Sequence, residues 1–196
     1  MNGPLSDSAQ DQIFREARSH SRWLDKPVEE GVLRELYDLM KWGPTAANST
    51  PARLVFVQSA AGKERLRPTL AEGNVEKSMS APVVAIVGMD LEFHEHLHRL
   101  FPHTDAHSWF AGNPEKIRAT ATLNTALQGA YLIIAARSLG LDCGPMTGFD
   151  NAKLDAEFFP EGTVKSLMIC GLGYGDHERL HPRGPRFDFD EVCRVV

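Results

Sequence analysis

Three groups of basic residues and one polar loop are the parts of this sequence whose types and spacing could do chemistry. Arg18 and Arg22 flank a Ser19-His20-Ser21 turn, and Arg183 and Arg186 stand among prolines near the C-terminus. Asn74 and Lys77 lie three residues apart, so a helix would put them on one face. Guanidinium groups bind phosphate with bidentate geometry. Together these residues suit a phosphate joined to an electron-rich ring. Each pair alone also reads as ordinary solvated surface.

Other patterns invite stronger readings that their details do not support. Gly171-Leu172-Gly173-Tyr174-Gly175 follows a strand-like run but lacks the third glycine of a dinucleotide loop, and no helix pattern follows it. It reads as a tight strand-end turn. There is no Walker loop and no GxSxG elbow. His94, His96 and His98 alternate, and His94 with His98 would share a helix face as a zinc pair could. No carboxylate or cysteine stands at a recognised third-ligand spacing, so no metal is expected.

The elements that must position these residues can be read from hydrophobic period and punctuation. The chain has 196 residues, 42% hydrophobic and 24% charged, which suits one domain over 1–196 with a sizeable core. A net charge of −5 gives no basic surplus for nucleic acid. Met1 to Ser8 lacks a signal-peptide pattern, and the longest apolar run, Ala126–Ala136, is too short for a membrane span. Cys143, Cys170 and Cys193 form no CxxC pair and read as reduced thiols, which implies a cytoplasmic protein.

Helices are expected over Asp7–Arg18, Val28–Trp42, Gly62–Glu72 and Pro114–Leu139. Short strands are expected at Leu54–Val57, Pro82–Met89, Leu141–Met146 and Ser166–Leu172. Pro114 suits a first helical turn and Gly140 a C-cap. Ala126–Ala136 is apolar nearly all round, as in a helix buried on several sides. Phe93–Asn113 has mixed signals and five histidines. Strands interspersed with helices give an α+β or α/β layered domain.

With those elements in place the sequence resembles the nitroreductase family. The resembling parts occur in the family's order: Arg18-Ser19-His20-Ser21-Arg22, the loop Pro44-Thr45-Ala46-Ala47-Asn48-Ser49-Thr50-Pro51, Asn74 with Lys77, the long apolar helix, Gly140-Leu141 through Pro145 to Gly148-Phe149, and the basic tail. They cover nearly the whole chain. WGPTAANSTPARLVFV, LFPHTDAHSWFAGN, LQGAYLIIAARSLGLDCGPMTGFD and ICGLGYGD are most similar to the malonic semialdehyde reductases of pyrimidine utilisation.

The resemblance implies an α+β fold with a central, mainly antiparallel sheet flanked by helices. It also implies FMN as cofactor, NADPH or NADH as hydride donor, and a homodimer with the flavin at its interface. Arg18, Arg183 and Arg186 would hold the FMN phosphate, helped by Ser19 and His20. Arg22, Asn74 and Lys77 would face the pyrimidine side of the flavin. Pro145, Met146, Thr147 and Gly148 would line it, with the Thr147-Gly148 backbone at N5. Pro44, Thr45, Ala46, Asn48 and Ser49 would come from the partner subunit. Two departures stand out: Thr45-Ala46 replaces a more polar pair, and Thr147 stands where relatives often carry Glu.

The implied reaction has two halves sharing one site, a hydride passing from NAD(P)H to the flavin and from there to a small acceptor. The acceptor implied is 3-oxopropanoate, reduced to 3-hydroxypropanoate in pyrimidine degradation. A broad nitro or quinone reductase would use the same site. A passive flavin-binding protein and a histidine-rich metal-binding module are the readings outside catalysis. Phe93–Phe110 would form a lid setting substrate choice, with His103, Trp109 and Arg99 as its candidate acceptor contacts.

Overall fold

Strand pairing, read from the computed structural model over residues 3–196, builds one four-stranded antiparallel sheet. Its strands are β1 (Ala52–Val57), β2 (Val83–Asp90), β3 (Asp142–Met146) and β4 (Val164–Gly173), in the order β1-β2-β4-β3. All eight residues of β2 are buried, because a central strand covered on both faces alternates its side chains between two cores. Val83, Ala85 and Val87 face one core. Val84 and Ile86 face the other.

Two helices cover the first face. Helix α2 (Glu30–Met40) contributes Leu33, Leu36 and Met40, and α6 (Pro114–Ser138) contributes Leu132, Ala135 and Ala136. Each fully buried leucine or isoleucine contributes about 1.5–3 kcal/mol of transfer free energy. The second face is covered by α3 (Ala60–Leu66) through Leu66 and by α7 (Asn151–Phe158) through Leu154. The short α1 (Asp7–Gln10) runs on through a wider π-type turn, Asp11–Arg15, and is capped by Ser6, whose hydroxyl accepts from the Ala9 amide. The architecture is the expected α+β layering around an antiparallel sheet.

Helix α6 begins and ends where its punctuation places it. The Asn113 side chain accepts from the Lys116 amide, Pro114 occupies the first turn, and Gly140 follows the end with φ +75°. Within one chain its burial is incomplete. Leu123, Leu127 and Tyr131, spaced by four, stand 63%, 43% and 37% exposed, so one chain covers a single face of this helix.

Three expectations are corrected. The helix expected over Gly62–Glu72 is two helices, α3 and α4 (Glu72–Ser80), separated by a 3₁₀ turn at Arg67–Thr69. Pro68 offers no amide to continue the ladder. Helix α7 was not expected, although Asp150 caps it by accepting from the Lys153 amide. Gly171 and Gly173 form no turn; they lie within β4. The Trp23 indole lies against them and against Gly144, and a Cβ at Gly171 would fall 2.7 Å from it.

Candidate functional site

Helix α4 is the organiser of the ring-facing group. Its Asn74 amide donates to the Gly148 carbonyl at 2.9 Å, and the Lys77 ammonium reaches the Asn74 side-chain oxygen at 3.4 Å. A Cβ at Gly148 would fall 2.5 Å from the Asn74 amide nitrogen, so glycine is what lets the 147–148 backbone lie against α4. Arg22 joins from the N-terminal turn, paired with Glu76 at 2.9 Å. Trp23 anchors that turn by donating from its indole to the Lys77 carbonyl at 3.1 Å. Arg22, Asn74, Lys77, Thr147 and Gly148, expected together, are brought together. Pro145, Met146 and Thr147 also line a cavity of ≈ 340 Å³ against Gly129 and Ile133 of α6.

The phosphate group of residues is brought together in part. Arg18 donates to the His181 carbonyl and Arg183 to the Ala17 carbonyl at 3.2 Å, so the two guanidiniums cross between the N-terminal turn and the tail. Arg186 bonds only the neighbouring carbonyls of Gly184 and Pro185. Ser19 is exposed beside them and bridges to Cys143 through its backbone. His20 does not join them. Its side chain is 1% exposed, packed against Gly175 and edge-on to His177, with Nε2 3.3 Å from an Asp142 carboxylate oxygen. Burial pushes its pKa below the usual value, opposed in part by Asp142.

Among the described residues no carboxylate pairs with Arg18, Lys77, Arg183 or Arg186, whereas Arg22 is paired. Guanidiniums satisfied only by backbone carbonyls have charge left for an anion. The residues present therefore fit a phosphate beside Arg18 and Arg183, and a ring with anionic character beside Lys77.

The loop Pro44–Pro51 sits elsewhere. It precedes β1, the edge strand opposite β3, so three strand spacings, about 14 Å, separate it from Pro145–Gly148 within one chain. Its backbone is strained: Ala47, Asn48 and Thr50 have φ of 51°, 48° and 37°. Side-chain hydrogen bonds help hold it there. The Ala46 amide donates to Asn124 at 2.7 Å and the Ala52 amide to Gln128 at 2.9 Å. Thr50 donates to the Thr45 hydroxyl, and the Asn48 amide donates to the Leu100 carbonyl. Pro44, Ala46 and Asn48 are exposed, Thr45 is half-buried, and the Ser49 hydroxyl is buried without a partner.

Sequence reasoning missed Asn124, Gln128 and Trp23 as positioning residues. Their signal was available: two amides spaced by four on an otherwise apolar helix are placed for a purpose other than packing.

The segment Phe93–Phe110 carries its own small core, with Phe93, Leu97, Ala106 and Phe110 buried against Met89 and Ala121. Phe101 packs edge-on to His103 and to Trp109, which stays 45% exposed. Arg99 is exposed, enters no ion pair among the described residues, and lines a cavity of ≈ 570 Å³ with His96, Arg53 and Asn48.

Comparison with known proteins matches this geometry. The profile of the nitroreductase family covers residues 14–174. A Burkholderia lata protein is 60% identical over 191 residues, 97% of this chain and 98% of its own. A Ralstonia nicotianae protein is 58% identical over 192 residues, 98% of each. Both are provisionally named NADH dehydrogenase/NAD(P)H nitroreductase. These names speak of nitro reduction and do not carry the aldehyde activity of the malonic semialdehyde reductases.

Two solved structures share the fold at TM-score 0.85: a Bacillus subtilis protein, 20% identical, covering 97% of this chain and 100% of its own, and an Exiguobacterium sibiricum protein crystallised with FMN, 15% identical, covering 100% of both. Family profile, close relatives and fold agree, and the chain belongs to the nitroreductase family.

Proposed function

We propose that this protein is an FMN-dependent NAD(P)H oxidoreductase that works as a homodimer and reduces nitro or quinone acceptors. The observation that carries the reading is the set of cations without carboxylate partners, Arg18 and Arg183 on one side and Lys77 on the other. When bound, FMN supplies the chemistry of accepting a hydride from the nicotinamide and passing it to the acceptor. Arg18 and Arg183 hold its phosphate. Arg22, Asn74 and Lys77 orient the pyrimidine edge, and Lys77 balances negative charge there. The Thr147-Gly148 backbone would lie at N5. The names of the close relatives, with NAD(P)H and nitro reduction in them, support donor and acceptor class, and the FMN bound by the Exiguobacterium neighbour supports the cofactor.

The homodimer is supported by the bare stripe Leu123, Leu127 and Tyr131 on α6, and by the loop and the ring-facing group lying on opposite sheet edges. A partner related by a two-fold axis brings its loop Pro44–Ser49 to the other chain's Lys77.

A second reading, reduction of a small carbonyl acid such as 3-oxopropanoate, draws on one observation. Arg99 is a cation without a carboxylate partner beside a cavity, and a carboxylate substrate needs such a group. Steady-state turnover of a nitroaromatic, a neutral quinone and 3-oxopropanoate with the same flavin-loaded protein decides between them. Higher kcat/KM on the nitroaromatic and quinone supports the first reading. Preference for the oxo acid, lost selectively in Arg99→Ala, replaces it with the second. A flavin that NADPH and NADH both fail to reduce overturns both.

A further inference from the structure

Behind the phosphate-binding turn lies a group of side chains that the proposed reaction does not use. His20, Asp142 and His177 come from the N-terminal turn, the start of β3 and the segment after β4. Each offers one ligand atom, and these atoms all lie within 4.8 Å of one another. His20 Nε2 stands 3.3 Å from one Asp142 oxygen, and His177 Nε2 stands 3.9 Å from the other. Both ring nitrogens of His20 are buried without a hydrogen-bond partner. A buried imidazole nitrogen left unpaired is destabilising unless something occupies it.

We propose that His20, Asp142 and His177 bind a zinc-class divalent cation, with water as a fourth ligand. Zinc bonds of about 2.0–2.2 Å in a tetrahedron set its ligand atoms roughly 3.3–3.5 Å apart. The His20–Asp142 separation already has that value. His177, 71% exposed, is free to swing in from its place within 4.8 Å of the other ligand atoms. Asp142 is oriented from behind by the Gly175 amide, which donates to its second oxygen at 2.9 Å, as outer-shell donors orient ligating carboxylates. Arg18 lies close enough to bear on the charge at His20, so the ion clamps the turn that carries Arg18 to the segment that leads to Arg183. The other candidate trio, His94, Glu95 and His107, is less suited. Its two rings are stacked face to face, and Glu95 is already hydrogen-bonded by His107 at 3.1 Å.

The test uses untagged, flavin-loaded protein carrying Cys193→Ser, which removes the exposed thiol as a competing ligand. Zinc is added, the protein is dialysed against metal-free buffer, and metal is counted by mass spectrometry alongside a thermal melt. One zinc per chain and a higher Tm with zinc are expected. His177→Ala and Asp142→Asn should each weaken zinc affinity at least about tenfold and abolish the Tm response. His177→Ala changes an exposed side chain and so keeps the fold testable. A His94→Ala/His107→Ala double variant should still hold zinc. Failure to retain zinc, equal zinc in wild type and His177→Ala, or loss confined to the His94/His107 variant would each overturn the proposal.

Discussion

Lys77 tests whether a half-buried ammonium tunes the flavin or merely decorates a helix. Among the described residues its ammonium reaches one partner, a neutral amide oxygen at 3.4 Å, so its charge is available to a bound ring. A hydrogen bond to a charged group contributes about 1.5–3 kcal/mol, which for a two-electron couple is about 30–65 mV. Lys77→Ala should lower the flavin midpoint potential by about that much and slow hydride transfer, with FMN still bound. Spectroelectrochemistry on the variant reads it, and an unchanged potential would return Lys77 to the surface. The tail arginines differ in what they touch. Arg183 reaches the carbonyl next to Arg18, whereas Arg186 folds back on its own neighbours. Arg183→Ala should weaken FMN binding by roughly 10–100-fold and Arg186→Ala by little. Fluorescence titration of apoprotein with FMN separates them, and equal losses would show that both touch the phosphate. At this scale the sequence was readable where chemistry is in the residue type, as at Asn74 and Lys77. It misled at His20, whose burial depends on Gly175 leaving room for the ring 155 positions away.

Local signals placed the elements well where they compete with nothing. Asn113 with Pro114 and Gly140 mark the ends of α6 within a few residues. They failed where two signals overlap, as Pro68 splits what period alone reads as one helix, and Asp150 opens a helix where no element is expected. Period alone does not say what covers the second face of α6, because an apolar helix looks the same whether that cover is the same chain or another. That difference is testable. Leu127 sits mid-stripe, 43% exposed between Leu123 and Tyr131. A carboxylate there leaves the single-chain fold in place but must be buried in a dimer, at a cost of at least ~3 kcal/mol, about 100-fold in affinity. Leu127→Glu should run as a 21.7 kDa species on light scattering and lose FMN, where the parent runs at twice that mass. A flavin-loaded dimer of Leu127→Glu would place the interface elsewhere.

At the scale of the molecule, sheet order makes the strongest demand, and no local pattern revealed it. With β1 and β3 as opposite edges, a loop before β1 and a cluster after β3 cannot meet in one chain. Subunit mixing tests this directly. Ala46→Glu obstructs the loop at an exposed position, and Lys77→Glu disables the cluster; each alone should be nearly inactive. Co-expressed in equal amounts, half the dimers are mixed and each mixed dimer has one intact site, so about a quarter of parental turnover should return. Turnover that stays at the level of either variant alone would mean that loop and cluster serve the same chain.

The indole of Trp23 ties distant positions into one unit of inheritance. It lies against Gly144, Gly171 and Gly173, and its ring stands where a side chain at Gly171 would be, while the His20 carbonyl stands nearest at Gly144 and Pro82 at Gly173. A lineage that keeps the tryptophan is barred from alanine at 171; one that loses it leaves room there that an alanine would fill. The first glycine of the pattern that imitates a nucleotide-binding loop, Gly171, is therefore the imprint of an aromatic ring nearly 150 residues upstream. It should appear and vanish with that ring as sequences drift.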